Sequence, residues 1–176
     1  MQTALELIKH PIPVLRRPVA EDGADIWALV RSCKPLDENS MYCNLIQCDH
    51  FRDTCVVAEL DGDIVGWVSA YILPFDPTTL FVWQVAVSEA ARGTGLASIM
   101  LSSLTARDAC RKVTRLQTTI TADNTASWSL FRRFARFQRT KLDIEPYFTQ
   151  GLHFRDRHKT ENMVSIELCE EARRAA

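Results

Sequence analysis

The sequence has 176 residues, 47% of them hydrophobic and 24% charged, with a formal net charge of −1 at pH 7. These values are typical of a soluble domain with an apolar core, and they lack the basic excess of a nucleic-acid-binding protein. No apolar run approaches the roughly 20 residues that span a bilayer, so no membrane segment is expected. Residues 1–13 lack the features of a signal peptide, which makes a cytoplasmic location the default expectation.

Six cysteines are scattered along the chain without a CxxC pair. In a cytoplasmic chain such cysteines are expected to be reduced thiols that pack as small apolar groups. The spacing of Cys43 and Cys48 and of the distant His153 and His158 does not match a zinc site. We therefore expect no metal.

The first half of the chain predicts helices followed by a hairpin. The expected elements are a strand over 14–17, a helix over 22–32, a loop leading into a short helix within 34–51, and strands over 54–60 and 64–73. The turn between the two latter strands is Asp61-Gly62-Asp63, because an Asp-Gly pair tolerates the positive φ of a tight hairpin turn.

The second half alternates strands and helices after a break at 74–77. The run LFVWQVAV over 80–87 is the most β-branched and aromatic segment and predicts a buried central strand. The remaining expected elements are a helix from the following glycine turn to about Cys110, a strand over 116–121, a helix over 124–137, and strands over 140–144 and 163–168, with a frayed tail over 170–176. This order predicts a single α/β (α+β) domain over 14–168, with terminal extensions over 1–13 and 169–176.

A glycine-rich turn, Arg92-Gly93-Thr94-Gly95-Leu96-Ala97, lies between the buried strand and a helix. The first amides of a helix lack partners, and glycines let a phosphate approach the backbone, so the turn is a candidate pyrophosphate site. Most turns with two glycines only connect elements, and this one matches neither the dinucleotide-binding spacing nor the Walker pattern.

The string Val85-Ala86-Val87 followed by Arg92-x-x-Gly95-x-Ala97 resembles motif A of the GNAT superfamily of N-acetyltransferases, and Asn124-Thr125-Ala126-Ser127 resembles its motif B. The resemblance covers about 14–168 and implies a mixed sheet of about seven strands, flanked by helices, with a splayed fourth strand. It also implies that acetyl-CoA is the co-substrate. The residues expected to bind it are Val85, Ala86, Val87, Arg92, Gly93, Thr94, Gly95, Leu96, Ala97, Ser98, Asn124 and Ser127.

Several segments dispersed along the chain indicate which amine accepts the acetyl group. The runs LDENSMY over 36–42, CDHF over 48–51, WQVAV over 83–87 and HKTEN over 158–162 resemble the L-2,4-diaminobutyrate acetyltransferase family. That resemblance implies acetyl transfer to the N4 amine of L-2,4-diaminobutyrate, giving N4-acetyl-L-2,4-diaminobutyrate, an intermediate of ectoine biosynthesis and thus of osmoprotection. It also implies a cytoplasmic homodimer whose partners are the diamino acid and acetyl-CoA.

The same resemblance assigns a substrate site whose residue types suit a diamino acid. Carboxylates pair with ammonium groups, and an indole offers a cation–π face. The matched positions are Asp37, Tyr42, Trp83, His158 and Glu161. Each has an ordinary structural alternative as well: Asp37 can cap a helix, Trp83 can belong to the core, and His158 with Glu161 can be a solvated pair.

An alkylamine attacks a thioester only after losing its proton, so the reaction needs a base. Glu161 is the candidate base, with His158 or Tyr42 in support, and the Val85 amide is a candidate oxyanion donor. Many members of the superfamily have a tyrosine acid where this chain has Phe131. Ser127, a water or unassisted departure of the thiolate are the alternatives, and no covalent enzyme intermediate is needed.

Two other functions fit the same motifs. One is acetylation of a different small amine, such as a polyamine, an aminoglycoside or a peptide N-terminus. The other is a CoA-binding module without catalysis, for which Phe131 is the best support.

Overall fold

The computed structural model describes residues 12–34 and 36–169, which form one seven-stranded mixed sheet with helices on both faces. The strands are β1 (Val14–Arg16), β2 (Val56–Leu60), β3 (Asp63–Leu73), β4 (Asp76–Val87), β5 (Arg115–Thr121), β6 (Asp143–Phe148) and β7 (Glu161–Glu167). The helices are α1 (Gly23–Ser32), α2 (Met41–His50), α3 (Leu96–Thr105) and α4 (Thr125–Phe137). The sheet order is β1-β2-β3-β4-β5-β7-β6, so the predicted mixed sheet of seven strands is confirmed.

Several predicted boundaries shift. The break at 74–77 is a two-residue turn, because Leu73 already pairs with Asp76 and β4 contains Pro77. The helix α3 ends at Thr105 rather than Cys110, and a separate 3-10 turn covers Asp108–Cys110. The strand predicted over 140–144 is Asp143–Phe148, since its position is set by pairing with β7 rather than by its own composition.

The turn predicted at 61–63 is confirmed. Leu60 pairs directly with Asp63, and the two residues between them, Asp61 and Gly62, have φ values of 52° and 91°. The single domain over 14–168 stays a prediction, and most of the expected extensions and the frayed tail lie outside the described residues. In the described part of the chain, no helix is both long and apolar enough to cross a membrane.

Two apolar clusters hold the helices on the sheet. On one face, Met100 and Phe134 of α3 and α4 pack over Val68 and its strand neighbours. On the other face, Ile26 of α1 packs with Trp67. Helices therefore cover both faces of the central strands.

An ion pair fixes the start of α1, although Asp22 does not cap that helix with its side chain. Its carboxylate accepts two hydrogen bonds from Arg16, at 2.7 and 2.8 Å, and one from the Val19 amide at 2.7 Å. Burial disfavours the charged form, but these donors outweigh it and hold the pKa of Asp22 below its ordinary value of 3.8.

We predict that Asp22→Asn lowers the free energy of unfolding by about 2 kcal/mol at pH 7. A carboxylate with a lowered pKa in the folded state stabilises the fold above its unfolded pKa and loses that effect as the pH falls through the folded value. The difference from wild type, measured by urea unfolding, should therefore shrink below pH 3.8. Asp49→Asn, at an exposed carboxylate, is the control. If Asp22→Asn lost as much stability below pH 3.8 as at pH 7, the result would contradict the assignment.

The strand β4 separates from β5 part-way along its length. The two are parallel partners only where Thr79–Phe81 faces Arg115–Gln117. On its other side, β4 shifts register against β3: Ser69 pairs with Gln84 and Ala70 with Val82, which leaves Trp83 without a partner. Such a bulge bends a strand, so the splayed fourth strand expected from the resemblance is confirmed.

Backbone groups of β4 face the gap beyond the bulge. The Ser88 amide donates to the Val65 carbonyl at 2.9 Å on the β3 side. Because backbone groups alternate sides along an antiparallel strand, those of Val85 and Val87 point away from β3 and toward β5. The gap between β4 and β5 is thus bordered by main-chain groups that no neighbouring strand covers, and of these the Val87 carbonyl accepts from the Cys33 thiol at 3.3 Å and from Arg92 Nε at 3.2 Å.

Candidate active site

Two clefts, each of about 470 Å³, meet at the gap between β4 and β5. We call the one beside the glycine-rich turn the turn cleft and the one on the other side of the gap the polar cleft. They share the four lining residues Leu36, Val85, Asn124 and Ser127. A long ligand in the turn cleft can therefore present one end to a small ligand in the polar cleft.

The turn cleft has an exposed backbone cradle at its base. Gly93 and Gly95 have φ values of 77° and 87°, and a Cβ added to either would meet no atom within 4 Å. Gly95 immediately precedes α3, whose first amides lack intrahelical partners. Positive φ and the empty Cβ positions leave room for a phosphate directly against these amides.

Most of the predicted CoA-binding residues line the turn cleft. They are Val85, Val87, Arg92, Gly93, Gly95, Leu96, Ala97, Ser98, Asn124 and Ser127. Lys34 and Arg133 also line it and were missed by sequence reasoning, because isolated cations outside the motif carry no local signal. The added positive charge suits a ligand that carries phosphates.

Two of the predicted residues lie elsewhere. The side chain of Ala86 is 1% exposed and packs with Trp67 on the α1 face of the sheet, since alternate residues of a strand face opposite ways. Thr94 does not line the cleft; its hydroxyl donates to the Ala91 carbonyl at 2.8 Å and accepts from the Leu96 amide at 3.4 Å. The Thr94 hydroxyl thus stabilises the turn through hydrogen bonds to its main chain.

Asn124 and Ser127 form the start of α4. The Asn124 side-chain oxygen accepts the Ser127 amide at 3.1 Å and so caps the helix. Ser127 lines both clefts, and Phe131, one turn further along the same helix face, is 2% exposed and lines the polar cleft. The Ser127 hydroxyl is therefore the α4 side-chain donor placed at the junction.

The polar cleft brings together four of the five residues predicted to bind the acceptor: Asp37, Trp83, His158 and Glu161. His158 Nε2 lies 3.5 Å from Asp37 Oδ2 and 4.0 Å from Glu161 Oε1. His158 Nδ1 donates to the Lys159 carbonyl at 2.8 Å, which directs Nε2 toward the two carboxylates. The loop before β7 and the segment after α1 thus meet at one imidazole.

The bulged residue Trp83 forms a wall of this cleft. Its indole is 47% exposed and lies edge-on to Tyr71, with ring centroids 6.5 Å apart. Tyr71 in turn packs against Phe81 at 5.4 Å. The wall is therefore anchored on its outer side by an aromatic cluster, while part of its face stays open to a ligand.

Glu161 is the more enclosed of the two carboxylates. Its side chain is 17% exposed, against 86% for Asp37. Burial raises the pKa of Glu161 above its ordinary value, and the nearby charge of Asp37 adds to the rise, while His158 and a hydrogen bond from Thr119 oppose it. A carboxylate with a raised pKa beside an open cleft is typical of a general base.

Tyr42 is the predicted residue that the structure places outside the cleft. It lies in the first turn of α2, is 71% exposed and does not line the polar cleft. The helix begins with Ser40, whose hydroxyl accepts the Cys43 amide, so Asp37 is not the cap of this helix. This arrangement provides no contact between Tyr42 and Glu161 or His158 through which it could support the base.

Sequence reasoning missed several polar residues of this cleft. Arg157, Gln84 and Asn39 line it, as does the ion pair between Lys159 Nζ and Asp123 Oδ2 at 2.6 Å. A glutamine in the middle of the apolar strand LFVWQVAV was the one signal in the sequence, because such a side chain is buried only with partners.

Cys33 lines the turn cleft, where its thiol donates to the Val87 carbonyl at 3.3 Å, and none of the other five cysteines lines either cleft. Burial raises the pKa of the Cys48 and Cys55 thiols to about 12, which disfavours the nucleophilic thiolate. Across residues 12–34 and 36–169, no group of three histidine, cysteine, aspartate or glutamate side chains is arranged to hold a metal ion.

A model of the acetyltransferase (GNAT) family matches residues 24–135, which is more than half of the chain. The L-2,4-diaminobutyric acid acetyltransferase of Methylotuvimicrobium alcaliphilum is 47% identical over 156 residues, covering 89% of this chain and 91% of the relative. The chain belongs to the GNAT acetyltransferases and, within them, to the L-2,4-diaminobutyric acid acetyltransferase family. The enzyme of the same name from Vibrio cholerae is 46% identical to this acetyltransferase over 155 residues, covering 88% and 90% of the two chains.

Solved structures agree with the assignment. The diaminobutyrate acetyltransferase of Paenibacillus lautus, in complex with its substrate L-2,4-diaminobutyric acid and coenzyme A, superposes on this acetyltransferase with a TM-score of 0.81. It is 39% identical and covers 89% of this chain and 95% of its own. Ard1 of Thermoplasma volcanium, at 12% identity and a TM-score of 0.70, shares the fold.

Proposed function

We propose that this acetyltransferase moves the acetyl group of acetyl-CoA onto the N4 amine of L-2,4-diaminobutyrate, giving N4-acetyl-L-2,4-diaminobutyrate. The observation that carries the proposal is the meeting of the turn cleft and the polar cleft at the gap beside Val85. The phosphates and pantetheine of the donor fit the turn cleft, and a small diamino acid fits the polar cleft. The names of the relatives support the same pair of substrates.

The polar cleft suits a ligand with two ammonium groups. Asp37 and Glu161 supply two carboxylates near the same imidazole nitrogen, His158 Nε2, and Trp83 supplies an indole face. An ammonium group near such a face gains a cation–π contribution. We propose that the acceptor is bound by Asp37, Trp83, His158 and Glu161. Tyr42 lies outside this cleft.

Glu161 then removes a proton from the ammonium group, directly or through a water, so that the neutral amine attacks the thioester carbon. The Val85 amide points into the gap and can donate to the oxygen that becomes negative in the tetrahedral intermediate. As the carbon–sulfur bond breaks, the attacking nitrogen loses its second proton and CoA leaves as a thiolate that gains one, relayed through the Ser127 hydroxyl or a water, since Phe131 has no hydroxyl. The acetyl group passes directly between the substrates.

The acceptor's carboxylate needs a cation, and we assign it to Arg157. Of the charged groups that line the polar cleft, Lys159 pairs with Asp123, and His158 lies between Asp37 and Glu161. Within the described part of the chain no carboxylate pairs with Arg157. A guanidinium binds a carboxylate through two parallel hydrogen bonds, which would fix the diamino acid's orientation.

Arg157→Gln should raise the KM for diaminobutyrate about tenfold, because a hydrogen bond to a charged group contributes roughly 1.5–3 kcal/mol. The KM for 1,3-diaminopropane, the same diamine without the carboxylate, should stay unchanged. Arg155→Gln, in the same loop but outside the cleft, is the matched control. An equal rise in KM for both acceptors would contradict the assignment of Arg157.

We also propose that the chain works as a cytoplasmic homodimer in ectoine biosynthesis, and thus in osmoprotection. The dimer is supported by the edge strand β6, all of whose residues are exposed and which presents Ile144, Tyr147 and Phe148 to the surface. Unpaired apolar edge strands are normally covered by another element or another chain.

Incubation with acetyl-CoA and L-2,4-diaminobutyrate tests the proposed reaction. We expect CoA release coupled to one acetylated product, with NMR placing the acetyl group on N4. A panel with polyamines, an aminoglycoside and a peptide N-terminus should give much slower release. Acetylation of N2, or a better acceptor elsewhere in the panel, would overturn the proposed acceptor.

A further inference from the structure

A short segment between α1 and α2, residues 36–39, carries Asp37 over the polar cleft. Asp37 itself is exposed, and the ion pairs that Glu38 makes with Arg31 and Lys34 lie at the surface, where such pairs contribute little. The position of the Asp37 carboxylate therefore depends on how the main chain of this segment is held.

Gln84 makes the contacts that hold it. Its side-chain amide donates to the Asp37 carbonyl at 2.8 Å, and its side-chain oxygen accepts the Asn39 side-chain amide at 3.3 Å. One glutamine thus joins the residues on both sides of Glu38 to the strand that forms the wall of the cleft.

Gln84 faces the α1 side of the sheet, like Ala86 two residues later, because it pairs with Ser69 in the regular register that follows the bulge. Gln84 directly follows the unpaired Trp83 and is 7% exposed, although it lies within the apolar run LFVWQVAV. A buried amide needs partners for both its oxygen and its nitrogen, and residues 37 and 39 supply them. Gln84 therefore holds the segment that carries Asp37, and it directly follows Trp83, which lies on the other side of the same cleft.

We propose that Gln84 is a positioning residue for the acceptor: it touches no reacting atom but sets the distance between the Asp37 carboxylate and the Trp83 indole. The proposal rests on the proposed function, since it takes the polar cleft as the acceptor site. Loss of Gln84 should therefore weaken acceptor binding while leaving the donor cleft unchanged.

The test is steady-state kinetics of Gln84→Met, which keeps the length of the side chain and removes both hydrogen bonds. We expect the KM for diaminobutyrate to rise about tenfold and the KM for acetyl-CoA to stay within about twofold. Gln138→Met, which removes a buried glutamine's hydrogen bond to the Cys169 amide far from the clefts, is the matched control.

Equal rises in both KM values, or the same pattern in Gln138→Met, would overturn the proposal in favour of a general packing role. If Gln84→Met does not fold, Asn39→Ala is the second variant, because it removes one of the two contacts between Gln84 and residues 36–39. It should raise the KM for diaminobutyrate about threefold, and an unchanged KM would overturn the proposal. Absence of diaminobutyrate turnover in the wild-type enzyme would contradict the proposed acceptor instead.

Discussion

Glu161→Gln should lower kcat with diaminobutyrate by about 100-fold or more, the lower part of the range for removing a general base. The glutamine keeps the size of the side chain and its contact with Thr119 but cannot take a proton. The affinity for acetyl-CoA, measured by calorimetry, should stay near the wild-type value, because Glu161 lines the polar cleft and not the turn cleft.

The dependence of kcat/KM on pH provides a second test of Glu161 as the base. Burial raises the pKa of Glu161, and only the ionised form accepts a proton, so kcat/KM should rise with pH through a value above the ordinary 4.5. In Glu161→Gln that limb should vanish. The residual rate should instead climb steadily toward the pKa of the amine, because a neutral amine needs no base.

Glu167→Gln is the matched control, since Glu167 lies on the same strand but pairs with Arg115 at the far end of β7. Its turnover should match the wild type. If Glu161→Gln keeps both its kcat and the acidic limb of its pH profile, Glu161 is not the base.

Gly95→Val should weaken acetyl-CoA binding at least about tenfold. Gly95 has a φ of 87°, and its missing Cβ faces open space where the pyrophosphate is proposed to lie. A valine would force the turn out of the left-handed region, at a cost of roughly 1–2 kcal/mol, and would hold the phosphates off the backbone amides. Calorimetry with CoA measures the change directly.

Gly62→Val controls for the strain. Gly62 has nearly the same φ, 91°, and equally open surroundings, but it lies in the β2–β3 hairpin turn. Both variants should lose similar stability, whereas Gly95→Val alone should lose affinity. Unaltered affinity in Gly95→Val would remove the glycine-rich turn from the donor site.

The sequence predicted the features that depend on short spacing. The glycine-rich turn lies within six residues, so its conformation follows from local chemistry, and the Asp61-Gly62 turn follows from the positive φ it requires. The mixed sheet of about seven strands and the splay of β4 came from the resemblance, because no single strand indicates which strands will pair with it.

The features that sequence reasoning missed depend on long-range contacts. The bulge at Trp83 exists only relative to the register of β3, and the role of Gln84 depends on a segment 45 residues earlier in the chain. Tyr42 is the opposite case: its place in the family motif predicts a contact with the acceptor, but its side chain is exposed and does not line the polar cleft. The start of β6 likewise follows its partner strand rather than its own residues.

The extra residue in β4, Trp83, bends the strand without changing which side chains face the core. Leu80 and Val82 before the bulge, and Val85 and Val87 after it, all pack on the face that α3 covers. Deleting Trp83 would therefore keep every buried side chain on its present face and would allow β4 to stay straight beside β5. A straight β4 would close the opening in which the two substrates are proposed to meet, so we expect the deletion to abolish activity while the apolar core keeps its packing.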